Sequence, residues 1–394
     1  MSLLLPRAFA KSPRGVRTLV NPLQPRLPDL PVRTVHEMGL KELERIRLIL
    51  RGGSVIEWRR LHFMTRDEVD RFLRLCQIDT ENPHDEAWVR AILSDAVEYL
   101  RRTFDYRVTD AVAKPAEIHD LFLYASGAKE PFRHRKIACV VLKVMHVIQH
   151  IEGRDLLFKI AVSEAELCGL VAEKVMAVAD EMREKGLPIV EFTDSIKTRE
   201  STITKLLAKK ESVAAQIYDR TRFRIVTKTR EDVLPVLYFL TQRLVPFNFV
   251  VPKQTENSLI NFKDLLKQYP NFAEHSEELH LDLDYEDREA RRHAGNQFSG
   301  RGYRILNFVV DVPIRLDAFL PPPEQDHRPR KGRIGFALVE FQISDEKTAA
   351  ENELGENSHE RYKLRQKQRV LRRLSRGLVV PKRRRAAKKP APGG

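Results

Sequence analysis

Cysteine is scarce in this chain of 394 residues, with only Cys76, Cys139 and Cys168, an odd and widely scattered set. They supply neither a disulfide framework nor the paired spacing of a metal knuckle, so a reducing, cytoplasmic setting is expected. Long apolar runs are missing as well. No stretch approaches the roughly 20 residues that a membrane span requires, and no membrane partner is expected. The early run Leu3-Leu4-Leu5 stops at Pro6, too soon for the apolar core of a secretory signal. Acidic residues are absent from the C-terminal end, where Arg361 to Gly394 carry 14 Lys and Arg and no Asp or Glu. The formal net charge of the whole chain is +14, so residues 1–360 are neutral in sum. The basicity therefore belongs to one end and is separable from any chemistry in the body.

Both termini read as disordered. Residues 1–34 are rich in Pro and Arg, with Asp29 the single acid, and residues 377–394 hold Lys382-Arg383-Arg384-Arg385 and Lys388-Lys389 among prolines. No aromatic residue interleaves with the cations of that tail, so an RNA or ribosome contact there would be made to phosphate and would weaken with salt.

Residues 35–185 read as an all-α domain. Apolar residues recur at helical spacing over His36–Leu50, and Thr65-Arg66-Asp67-Glu68 is a start signal for the helix that carries Val69, Phe72, Leu73 and Leu75. Further helices are expected over Glu86–Thr103, Ile137–Ile151 and Ser163–Glu184. The pair His119-Asp120, with His134, His146 and His150 downstream, has residue types able to hold a divalent ion. No ordered ligand spacing accompanies them, and packing or capping roles are the simpler expectation.

Residues 186–376 change character. After the break Gly186-Leu187-Pro188 comes a helix burying Ile203, Leu206 and Leu207, with Lys197 before it and Lys205 and Lys209 one turn apart on one face. Strands are expected at Arg222–Val226, Phe247–Val251, Gly302–Val310 and Phe336–Ile343, with helices over Glu231–Leu244 and Glu346–Arg376. The fold class is α+β in two domains, the second a mixed sheet flanked by helices. Residues 253–301 form an insertion that includes an acidic alternating run with Asp282 and Asp284.

The segment Val339-Glu340-Phe341-Gln342-Ile343 alternates at the period of a strand, apolar on one face and carrying Glu340 and Gln342 on the other. On pattern alone it is an ordinary amphipathic edge strand. Taken with Glu353-Leu354-Gly355, His359 and Tyr362-Lys363, with Lys197, Ser201 and Lys205, with Tyr218-Asp219 and Arg224-Ile225, and with Gly302-Tyr303, it resembles the RelA/SpoT alarmone synthetase domain of the nucleotidyltransferase-like superfamily. The resemblance covers residues 190–365, interrupted by the insertion. Departures from the family pattern stand at Ser195, at Arg304, Ile305 and Asn307, and at Ser344-Asp345.

The resemblance implies a pyrophosphokinase that moves diphosphate from ATP to the 3′-hydroxyl of GDP or GTP. It implies Mg²⁺ held by Asp219 and Glu340, with Glu340 also activating the acceptor hydroxyl. Tyr303 would stack on guanine and Gln342 would assist beside the metal. Lys197, Lys205 and Arg224 would meet phosphates, and His359 would join the substrate contacts. Such transfer is mostly positioning and charge neutralisation, which suits carboxylates facing a lysine-lined phosphate site. Two alternatives share the motifs: a pyrophosphokinase acting on an RNA 3′ end, and a catalytically degenerate protein that binds guanine nucleotides or ribosomes.

Overall fold

The computed structural model describes residues 30–51, 63–196, 199–208, 221–261, 302–322, 332–354 and 359–375, with a few single positions besides. Its helices start where a polar side chain can satisfy first-turn N–H groups. After α1 (Leu40–Arg51), Thr65 accepts from the Glu68 N–H and opens α2 (Arg66–Leu75). Asn82 caps α3 (Pro83–Phe104), whose first residue is the proline a helix tolerates there. Then come α4 (Asp110–Ala113), α5 (Ile118–Ser126) and α6 (Arg133–Lys159). Ser163 and Glu166 form a reciprocal capping box at the head of α7 (Glu164–Glu184). No helix among the described residues is long and apolar enough to cross a membrane.

Gly186 takes φ +73 at the turn into the sheet, a backbone region that suits glycine. Then follow β1 (Ile189–Ile196), α8 (Arg199–Ala208), β2 (Thr221–Thr227), α9 (Val233–Arg243), β3 (Glu256–Asn257), β4 (Leu306–Arg315), β5 (Ile334–Asp345), α10 (Glu346–Asn352) and α11 (His359–Leu374). The five strands make one mixed sheet in the order β1-β2-β5-β4-β3, in which only the β2–β5 pair is parallel. The segment expected as an edge strand thus lies at the centre, because β2 and β4 pair with its two sides.

One face of the sheet is apolar. Phe223, Phe341 and Phe308 stack in register across β2, β5 and β4, with ring centroids 5.7 and 5.4 Å apart. Thr221, on the same face, donates its hydroxyl to the Cys168 sulfur of α7, which fixes α7 over this side. A single apolar cluster runs from Val35 through α2, α3 and α6 to Ile343, so helices and sheet share one core. The other face is divided along its length. Over the first half of β5, α6 approaches so closely that a Cβ at Gly153 would lie 2.4 Å from the Phe336 ring. Beyond Leu338 the same face turns polar.

Three expectations are corrected. Phe247–Val251 is not a strand but a 3₁₀ turn (Phe247–Phe249) followed by a single bridge from Val250 to Val310. The Phe249 ring buries itself against His146, His150 and Phe336 without needing a ladder. The strand expected from Gly302 begins only at Leu306, so Tyr303 precedes it. The long helix expected over Glu346–Arg376 is two helices, since α10 stops at Asn352, whose side chain turns back to bond the Arg304 backbone. The extension 1–34 up to Arg26, most of the insertion after Asn261, including Asp282 and Asp284, and the tail 377–394 lie outside the described residues.

The seam between α6 and the sheet carries three buried titratable groups. His150 stacks flat on Phe336 at 4.4 Å, with its Nε2 3.6 Å from the Asp311 carboxylate. His146 bonds Asn248. Burial holds His146 down at about 3, with His150 adding to the effect. Burial, aided by Arg154, holds His150 down at about 4, although its bond to the His146 carbonyl opposes this. Burial pushes Asp311 up to about 6 against the pull of Arg154. The close approach is therefore not a full ion pair.

Stability follows from these directions. The two histidines contribute stability above their ordinary value near 6.5 that is lost as pH falls toward 4 and 3. Asp311 works oppositely, contributing at low pH what it loses as pH rises through 6. Two groups outweigh one, and between pH 8 and 5 the fold is expected to lose about 3 kcal/mol. Melting temperature against pH reads this, and a His146→Leu/His150→Leu chain, left with Asp311 alone, should instead gain about 1 kcal/mol over the same fall in pH. Equal acid sensitivity in both chains would clear the seam of responsibility.

Candidate functional site

Strand register decides which side chains meet on the polar half-face. Residues directly opposite one another in neighbouring strands share a face. Arg222 pairs with Glu340 and Arg224 with Gln342 across the parallel ladder. Ser195 and Thr193 stand opposite the two arginines on β1. Asn307 stands opposite Gln342 on β4, and Glu256 opposite Asn307 on β3. One polar row thus crosses all five strands, Thr193–Arg224–Gln342–Asn307–Glu256, and a second runs Ser195–Arg222–Glu340 beside it.

Glu340 is the centre of this face and is only 5% exposed. Its Oε2 accepts from Arg222 Nε at 2.9 Å, while Oε1 accepts from Asn307 Nδ2 at 2.8 Å and from Gln342 Nε2 at 3.3 Å. Because the Asn307 amine faces a carboxylate, its amide orientation is fixed, and its Oδ1 points elsewhere. That oxygen is buried and has no hydrogen-bond partner among the described residues. An acceptor left open beside a carboxylate is a place for a donor, such as a ligand hydroxyl or N–H.

Tyr303 leans over the same face. Burial raises its phenol above the ordinary value, Glu256 and Glu353 add to the rise, and Arg222 and Arg224 oppose it. Its backbone is held firmly. The Ser258 hydroxyl reaches the Tyr303 carbonyl and accepts from the Ile305 N–H. Asn352 of α10 accepts from the Arg304 N–H at 3.1 Å and donates to the Arg304 carbonyl at 2.7 Å. Arg224 is at the margin, 3.8 Å from Glu191 and 4.0 Å from Glu353.

Of the residues singled out in the sequence, Glu340, Gln342, Arg224 and Tyr303 come together here. Asp219 and Lys197 lie outside the described residues, as do the side chains of Lys205, on α8, and His359, at the start of α11. Arg222, Asn307 and Asn352 join the site without having been singled out for a role. Arg222 sits one strand repeat before Arg224, which is the available signal. The described histidines that were singled out in the helical half form no common centre. His119 bonds Asp70 at 2.7 Å, Asp120 pairs with Lys129, and His134 packs edge-on to Tyr124. Among the described residues no group of three or more His, Cys, Asp and Glu could hold a metal ion.

The expected Mg²⁺ pair meets a difficulty at Glu340. A hard divalent ion is bound by oxygen ligands, and the groups that bond this carboxylate include a guanidinium and two amide N–H donors. Asp219, the other expected ligand, lies outside the described residues.

Comparison with protein-family models and with curated proteins finds no match. Among solved structures, the chain is similar to the small alarmone synthetase 1 from Bacillus subtilis bound to its product pppGpp, at 16% identity over 51% of this chain and 82% of that one, with TM-score 0.27. It is similar to the small alarmone synthetase 2 from Bacillus subtilis at 15% identity, covering 54% and 77%, with TM-score 0.24. A GTP pyrophosphokinase family protein from Streptococcus pneumoniae is similar at 13% identity, covering 54% and 87%, with TM-score 0.28. Likenesses at such identities and TM-scores transfer no activity to this chain.

Proposed function

We propose that the protein is a nucleotide pyrophosphokinase, moving diphosphate from ATP to the 3′-hydroxyl of GDP or GTP. The observation that carries this reading is the buried Glu340 carboxylate beside the open acceptor of Asn307, in a row that also holds Arg224, Gln342 and Arg222. An acceptor hydroxyl entering there would donate to one of these oxygens. The 3′ oxygen attacks the β-phosphorus of ATP, the bond from that phosphorus to the α-phosphate oxygen breaks, and AMP leaves. The hydroxyl proton passes to Glu340 as general base. Tyr303, fixed by Ser258 and Asn352, offers a ring for the guanine. Arg224, with Lys197, Lys205 and His359 from the flanking segments, would contact phosphates.

The basic helix α11, with Arg361, Lys363, Arg365, Lys367, Arg369, Arg372 and Arg373, favours a second reading in which the acceptor is an RNA 3′ end. One assay separates them. The full chain is incubated with ATP labelled at the γ-phosphate, with GDP, GTP or tRNA as acceptor and Mg²⁺ in the buffer. Label on a guanine nucleotide is the expected result, label on tRNA would replace the first reading by the second, and no transfer to any acceptor would overturn both.

A further inference from the structure

Beside Glu340, Asn307 offers an acceptor that the described residues leave open. Its Nδ2 donates to Glu340 Oε1 at 2.8 Å, which turns Oδ1 away from the carboxylate. Oδ1 is buried and has no hydrogen-bond partner among the described residues, although Asn307 as a whole is only half-buried. Its neighbours in the polar row do not serve it. Gln342 directs its Nε2 to Glu340, and opposite on β3 stands the carboxylate of Glu256. A buried acceptor without a donor costs stability, so the empty protein carries a penalty that a donor on a ligand removes on binding. The position of Oδ1 is set as well. With C=O and C–N lengths of about 1.23 and 1.33 Å, the oxygen and nitrogen of an amide lie roughly 2.3 Å apart. Oδ1 is therefore within about 5 Å of Glu340 Oε1.

We infer that Asn307 determines specificity for the acceptor sugar, its Oδ1 taking the hydrogen bond of a ribose 2′-hydroxyl while the neighbouring 3′-hydroxyl is held at Glu340. Two hydroxyls on adjacent ring carbons have oxygens about one hydrogen-bond length apart, roughly 2.8 Å, and acceptors within about 5 Å of each other can take one bond from each. Each hydroxyl has one proton to donate, and each of these oxygens accepts one. A 2′-deoxy sugar has no second hydroxyl and leaves Oδ1 buried and unpaired in the complex. Sites built around such a bond reject the analogue that lacks it. This role rests on the pyrophosphokinase reading and holds for either acceptor, because GDP, GTP and an RNA 3′ end all present the same vicinal diol.

Calorimetry on the full chain with GDP and with 2′-deoxy-GDP provides the test. The wild-type protein should bind GDP at least about tenfold more tightly. Asn307→Ala should bring the two Kd values within about threefold of each other. Gln342→Ala, which also loses a bond to Oε1, should weaken both ligands and keep their ratio at the wild-type value. A residue that merely held Glu340 in place would shift both ligands together, so the ratio separates contact with the sugar from positioning of the carboxylate. Asn307→Ser, too short to reach the sugar, serves if the alanine variant does not fold. Equal binding of the two nucleotides by the wild type overturns the inference and leaves the pyrophosphokinase reading intact, as does a wild-type ratio kept in a folded Asn307 variant. Where GDP does not bind, transfer of γ-label from ATP to an RNA oligonucleotide ending in ribose or in 2′-deoxyribose makes the same comparison, and equal transfer overturns the inference. With neither binding nor transfer, the pyrophosphokinase reading falls and the inference falls with it.

Discussion

Asp85→Asn is expected to destabilise the protein by about 3–5 kcal/mol, the usual result of removing one partner from a buried ion pair. Arg315, at the end of β4, grips Asp85, near the start of α3, in a two-pronged contact at 2.7 and 2.8 Å. Both side chains are almost fully buried. Arg315 also donates to the Gln77 carbonyl and to Asp317, which Arg333 holds from its other side. Burial by itself would pull the Arg315 guanidinium down, yet Asp85 and Asp317 together push it above its ordinary value. With asparagine at 85 the charge on Arg315 keeps Asp317 alone, and Asp317 is shared with Arg333. Set against a typical stability of about 5–15 kcal/mol, the loss is large, and a fall in Tm on the order of 5 °C is expected for a chain of this size. Arg315→Met combined with Asp85→Leu should be milder than Asp85→Asn, because Arg333 still satisfies Asp317 and no buried charge is stranded. If Asp85→Asn melts within a degree of wild type, the network does not hold α3 to the sheet.

That network shows what local sequence could not reveal. Asp85 and Arg315 are 230 residues apart, and nothing near either marks it as half of a pair. Several of the helices were legible because their signals are local, although α4 and α5 were not expected. Thr65 lies within a turn of the helix it opens, whereas the helix expected from Glu86 starts three residues earlier, at Pro83, behind the Asn82 cap. Phe247–Val251 misled because a short apolar run has no period long enough to separate strand from turn. The polar face of β5 was legible from the alternation at 339–343. Its partners were not, since only strand register places Arg222 on Glu340 and Asn307 beside it. Asn352 was hidden for another reason. It closes a short helix rich in exposed charge, yet is itself buried and clamps the segment bearing Tyr303.

Glu340→Gln is expected to slow diphosphate transfer at least ~100-fold, the lower range for loss of a positioned general base. Glutamine keeps the volume and can still accept from Asn307 through its carbonyl. Its amine must then face Arg222 Nε, which sets donor against donor and removes the charge that Arg222 balances. Arg222 is about a quarter exposed and can turn toward water, so the cost to the fold is expected to be about 1 kcal/mol, near the range for partly solvated pairs. The signature is therefore a collapse of kcat with Tm nearly unchanged and KM for both nucleotides within a few-fold. Gln342→Ala, which removes only the longer 3.3 Å bond to Oε1, should slow transfer far less. A Glu340→Gln protein whose KM rises while kcat holds would make the carboxylate a binding group. In that case the hydroxyl proton would leave to solvent water, with the open oxygen of Asn307 accepting no more than a hydrogen bond from the hydroxyl.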